Sequence, residues 1–179
     1  MNKNFLALIF ILIIFSALFL KVRASLPVVR ADGVTLSRED FADKRAGFLR
    51  FAELNREKLT AGEIERGIAL AFIEESLIRN EIEKRGKRDD DIVRAVEEGV
   101  RGADLEKLES ATIQIYGWNR FQFEKFVLYP QARRNILMAE FEKDKIDMGE
   151  WLEKSLDEAN ISIYLLKWKW KDGDVKERF

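Results

Sequence analysis

The stretch from Thr60 to Gly86 narrows the possible folds more than any other. Thr60 followed by Glu63 has capping-box spacing, in which each side chain satisfies the other residue's backbone N–H. Ile64, Ile68, Ala71, Phe72, Glu75 and Ile78 then trace one side of a helix, and Ala69, Ile73, Leu77 and Ile82 widen it. So broad an apolar arc has to be covered from several directions, which makes this helix the expected centre of the core. Arg85-Gly86 reads as its C-cap.

The flanking segments follow the same pattern. Ser37 caps a helix with Asp40 at the box position, and Phe41, Phe48, Leu49 and Ala52 form its stripe up to Asn55. Three acids, Asp89 to Asp91, open a short amphipathic helix through Ile92, Val93, Val96 and Val100. Leu105, Leu108, Ile113 and Ile115 continue in another helix to Tyr116-Gly117. Asn119, with Gln122 at the box position, caps a long helix lined first by Phe123, Phe126 and Val127, then by Ile136, Leu137 and Phe141. Pro130 lies inside that pattern, so a kink or break is expected near Leu128 and Tyr129. A last helix covers Asp147 to Ala159 with Trp151, Leu152 and Leu156 inward. Two stretches read as extended. One is Val28-Val29 before the turn dipeptide Asp32-Gly33. The other is a single strand over residues 161–170, with Trp168 and Trp170 alternating with lysines at its end.

Composition removes whole classes of chemistry. The 179 residues include no histidine and no cysteine, which excludes disulfides, thiol nucleophiles, Cys/His zinc sites and histidine acid–base catalysis. Glu74-Glu75, Asp89 to Asp91 and Glu97-Glu98 are the densest acids, but neighbouring acids on one helix diverge and read as solvated faces or helix starts. The Asp run lacks the alternating ligands and glycine of a calcium loop, and Gly99 with Gly102 makes no phosphate loop. The expectation is a protein that is not an enzyme, with no catalytic residue, metal or cofactor.

Residues 5–20, FLALIFILIIFSALFL, carry no charge and follow Lys3; Lys21 and Arg23 come after. Sixteen residues of helix span about 24 Å, and Val22, Ala24 and snorkelling lysines extend the reach toward a bilayer core. Two readings fit, an uncleaved single-pass anchor and a cleaved signal peptide. The anchor is preferred because the run is long for a signal segment and cations stand where a cleavage region is normally neutral. Either one places the body on the extracytoplasmic face, periplasm or cell surface. The body beyond residue 23 holds 28 basic and 32 acidic residues, a balance that argues against nucleic acid as partner.

The segments ADGVTLSREDF (31–41), IALAFIEESLIRNEIEKRG (68–86), DDDIVRAVEEG (89–99), YGWNRFQFEKFVLYPQARRNIL (116–137) and WLEKSLDEANISIYL (151–165) carry a resemblance. Their order and type resemble the N-terminal domain of SurA/PrsA-type extracytoplasmic chaperones, which are often fused to parvulin prolyl isomerase domains. The likeness implies a mainly α fold in which residues 28–30 pair with 161–165, making a two-stranded sheet from the chain ends. Between Phe141 and Trp151 there is no room for the isomerase module, so the isomerase is absent. The familiar first-turn Asn-Gly is Asp32-Gly33 here. The organisation expected is an anchor or signal segment at 1–24, a helical domain at 26–171 and a frayed tail at 172–179.

The function this implies is a membrane-tethered holdase that binds unfolded or exported polypeptides in an apolar groove between helices. Trp118, Phe121, Phe123, Phe126, Tyr129, Trp168 and Trp170 are the candidate contacts, since aromatic side chains bury large area at modest entropy cost. Ordinary core packing is the competing explanation for each. The alternative function is a non-catalytic envelope adaptor with one specific folded partner, paired at a sheet edge or resting at the membrane interface.

Overall fold

The computed structural model describes residues 26–165 and 167–178. Strands β1 (Pro27–Ala31) and β2 (Val34–Ser37) form a hairpin closed by Asp32-Gly33. Both turn residues have positive φ, 44° and 89°, the combination a right-twisted two-residue hairpin requires. β1 also pairs antiparallel with β3 (Ile161–Ile163), Val29 opposite Ile163 and Ala31 opposite Ile161. The turn is tied to that strand twice. Asp32 N–H donates to the Asn160 carbonyl at 3.1 Å, and Asn160 N–H donates to the Asp32 carboxylate at 2.9 Å.

Helix α1 (Arg38–Leu54) leaves β2 directly, with Asp40 N–H donating to Ser37 Oγ at 3.0 Å. Helix α2 (Ala61–Lys84) opens on the full capping box. Glu63 N–H donates to Thr60 Oγ1 at 3.2 Å, and Thr60 N–H donates to Glu63 Oε2 at 2.7 Å. The breadth of its apolar arc is explained by two separate clusters. Ile64, Ile68, Phe72, Ile73 and Leu77 pack with Val28, Val29, Leu36 and Ile163 of the sheet. One turn further along, Ile78 and Ile82 pack with Ile92 and Val96 of α3 (Asp89–Gly99) and with Leu137 and Phe141 of the last long helix. Each large side chain buried this way contributes about 1.5–3 kcal/mol.

Helix α4 (Leu105–Tyr116) lies along α1, and the Arg50 guanidinium donates to the Gln114 carbonyl at 3.1 Å. Next come the short α5 (Arg120–Phe123), a π-helical turn (Glu124–Leu128) and α6 (Tyr129–Asp144) in one continuous run. The interruption expected at Pro130 therefore takes the form of a π turn just before it. Tyr129 N–H reaches back five residues to the Glu124 carbonyl, and the wider turn accommodates a ring that has no N–H to give the Phe126 carbonyl. Helix α7 (Met148–Glu158), capped by Asp147, precedes β3.

Four expectations are corrected. The sheet is not two-stranded: its order is β2-β1-β3, and a second, separate sheet exists. Residues 161–170 are not one strand. The ladder ends at Ile163 and resumes as β4 (Trp168–Lys171), which pairs with β5 (Asp174–Glu177). The Arg178 guanidinium fills the break, donating to the Ile163 carbonyl at 3.0 Å and to the Trp168 carbonyl at 2.6 Å. The tail is accordingly not frayed. It turns at Asp172-Gly173, and Val175 is buried against α2, where Arg66 donates to its carbonyl at 2.8 Å. The fourth correction concerns the membrane. Residues 5–20 lie outside the described residues, and among the described residues no helix is long and apolar enough to cross a membrane. The expected transmembrane helix, the membrane as partner and the extracytoplasmic placement thus have no support among the described residues.

Candidate functional site

Between α1, the first three-quarters of α2 and the π turn with the start of α6 lies an open groove of about 620 Å³. That volume falls in the range of ligand pockets, about 300–1,000 Å³. Its α2 side carries Ile64, Gly67, Ile68, Ala71 and Ile78. Gly67 and Ala71 are exposed, one turn apart, and a Cβ at Gly67 would meet nothing within 4 Å. A glycine inside a helix costs about 1 kcal/mol relative to alanine, and here no neighbouring side chain uses the room it leaves. Leu59, half exposed at the α1–α2 connection, forms one lip. Val127 and Pro130 form the opposite wall.

The third wall is aromatic. Phe51 stacks on Tyr116 at 5.4 Å between ring centroids, Tyr116 stacks on Trp118 at 4.6 Å, and Trp118 meets Phe126 edge-on at 5.3 Å. Phe48 approaches Trp118 edge-on from α1. Phe48, Phe51, Tyr116 and Phe126 face the groove, while Trp118 stands behind them. Its indole N–H donates to the Asp43 carbonyl at 2.9 Å, and its ring lies over Gly47, where any Cβ would overlap it. Trp118 is thus the keystone of the wall and offers no contact surface, being 2% exposed.

The other predicted contacts divide. Phe126, 8% exposed, lines the groove. Tyr129 lines a smaller neighbouring cavity of about 190 Å³ on the far side of Phe126. Phe121 is 68% exposed, and neither cavity includes it or Phe123, which is half-buried. Trp168, 4% exposed, belongs to the core under α2, and Trp170 packs half-buried against the same cluster. The structure therefore brings Trp118 and Phe126 together, sets Tyr129 just behind, and places the Trp/Lys strand elsewhere.

The partition between the two cavities is charged. Lys44, Glu75 and Phe126 line both. Lys44 is 8% exposed, with its ammonium 5.3 Å from the Phe126 ring centre and 3.9 Å from Glu75. Burial pushes the Lys44 pKa below the ordinary lysine value. Glu75 and Asp40 oppose that shift, and Lys125 adds to it. Glu75 is shared with Arg133 at 3.1 Å, and Lys125 pairs with Asp40 at 2.6 Å. Glu74, singled out above for its acid, faces Arg134 at 3.8 Å on the groove rim.

Reading the sequence for aromatics missed Lys44, Gly67 and Leu59. Lys44 had left a signal: it stands three residues after Phe41 and four before Phe48, an inward position in the α1 stripe. Comparison of the chain with protein-family models, with curated proteins and with solved structures gives no match.

Proposed function

We propose that this chain is a polypeptide-holding module of the chaperone kind, and that the groove between α1, α2 and α6 takes an apolar stretch of an unfolded chain. The observation that carries this is the groove itself: about 620 Å³, open to solvent, with exposed Gly67 and Ala71 on one side and an aromatic wall on another. Apolar area left accessible in a concave surface is what a sequence-tolerant binder needs, because hydrophobic burial is non-directional. The rigid rings add contact area without costing many rotamers. The resemblance to SurA/PrsA-type chaperone domains points the same way.

Gly67→Trp tests the reading. Nothing lies near that Cβ, so the indole extends into the groove without disturbing the core. The full chain should suppress light scattering from a chemically unfolded model substrate, and Gly67→Trp should lose most of that effect while keeping its melting temperature. Absence of suppression by the unmodified chain at several-fold molar excess, or full suppression by the plugged variant, overturns the proposal. Retention of one folded partner in place of many unfolded ones is the adaptor outcome.

A further inference from the structure

The partition residue Lys44 is costly where it stands. A lysine at an inward position loses hydration, and its four-carbon stem would pack as well if it ended in a methyl group. Its ammonium carries three donors. The nearest carboxylate oxygen, on Glu75, is 3.9 Å away, beyond hydrogen-bond length, and among the described residues Lys44 Nζ makes no hydrogen bond. Glu75 is also divided between two cations, since Arg133 holds its other oxygen at 3.1 Å. Lys125 and Asp40 neutralise each other on the wall of the smaller cavity. The sum over the partition residues Lys44, Arg133 and Glu75 is one uncompensated positive charge where the two cavities meet; of the other groove acids, Glu74 faces Arg134, and Glu57 and Glu63 stand at the α1–α2 end of the groove.

We propose that Lys44 reads a carboxylate on the polypeptide bound in the groove, so that the module favours apolar segments carrying a negative group at one end. This rests on the polypeptide-binding reading and adds a chemical preference to it. A carboxylate entering from the groove meets the free ammonium donors of Lys44, with Arg133 beyond, and brings the cluster to neutrality. Charge-assisted hydrogen bonds of this kind are stronger than neutral ones and are strengthened further by desolvation. Two sources supply the group: the free α-carboxylate of a chain terminus, or an aspartate or glutamate side chain beside apolar residues.

Three synthetic apolar octapeptides, identical except at the last residue or the terminus, separate the possibilities. One ends in a free acid, one in an amide, and one in an amide with glutamate as its last residue. Their affinities for the full-length chain are measured by calorimetry. The free acid should bind about tenfold more tightly than the plain amide, the change expected of one charge-assisted hydrogen bond. In Lys44→Met both should bind at the amide's level. If the glutamate peptide matches the free acid, a side chain suffices as source; if it matches the plain amide, the chain terminus is required. Equal affinity for acid and plain amide in the unmodified protein overturns this inference and leaves the groove reading intact. Failure of all three peptides to bind overturns both. An acid preference that survives in Lys44→Met also overturns the role of Lys44. The acid–amide comparison in the unmodified chain can still overturn the inference even if the variant does not fold.

Discussion

At residue scale the aromatic wall depends on an atom that is missing. Gly47 lets the Trp118 ring lie flat on α1, and that seat sets the indole N–H on the Asp43 carbonyl one turn earlier. Tyr116, Phe48 and Phe126 are then positioned against Trp118, so the shape of the groove wall follows from one side chain of zero size. Gly47→Ala should gain up to about 1 kcal/mol of helix propensity. It should lose more by overlap, because the indole is held by the stacked Tyr116 ring, by edge contacts with Phe48 and Phe126 and by its hydrogen bond to the Asp43 carbonyl. A net destabilisation of about 1–3 kcal/mol is expected. Urea unfolding measures it, and a red-shifted tryptophan emission in the folded state would show the ring displaced. A variant as stable as the parent with unchanged emission would mean that the wall repacks freely.

At the scale of elements, the terminal hairpin belongs to the core. Trp168 and Val175 are buried with the α2 residues, and Arg66 grips the hairpin through the Val175 carbonyl and a two-pronged contact with Asp174. Trp168→Ala should therefore cost about 3–5 kcal/mol, and Trp170→Ala distinctly less because its ring is only half covered. Comparing the two urea midpoints checks the ordering, and equal losses would contradict it. The same hairpin shows where sequence reading stops. Ser37, Thr60 and Asn119 were legible because a cap and its partner lie three residues apart. The broad arc of α2 was legible because periodicity is local. The break after Ile163 was not, since it depends on an arginine fifteen positions away and on a hairpin whose Val175 is held by Arg66 of α2, 109 positions before it. Asp172-Gly173 did carry the dipeptide signal of the first turn, with φ of 52° and 68° in the structure. Lysines flanking the tryptophans suggested a solvated end instead. Of the groove, the sequence disclosed Phe126 and the Trp118 neighbourhood, but not which aromatic faces out. That depends on how three helices meet.

At the scale of the whole molecule, acid should loosen the fold at its helix starts. The Glu63, Asp91 and Asp104 carboxyls are held below their ordinary pKa values, in each case first by a backbone N–H at the start of α2, α3 or α4. A carboxylate with a lowered pKa in the folded state binds fewer protons there than in the unfolded chain. The stability it contributes is complete above the ordinary values, 4.5 for glutamate and 3.8 for aspartate, and disappears as pH falls through the lowered ones. Urea midpoints should hold steady from neutral pH to about pH 5 and then decline. The combined variant Glu63→Gln, Asp91→Asn, Asp104→Asn isolates these caps: it should be less stable than the parent at neutral pH, and the two curves should approach each other as pH falls through the lowered values and the parent's caps protonate too. A constant gap across that range would assign the loss to altered packing rather than to charge. Because α2 carries the floor of the groove and starts at one of these caps, peptide binding should weaken over the same interval as the parent's midpoint falls.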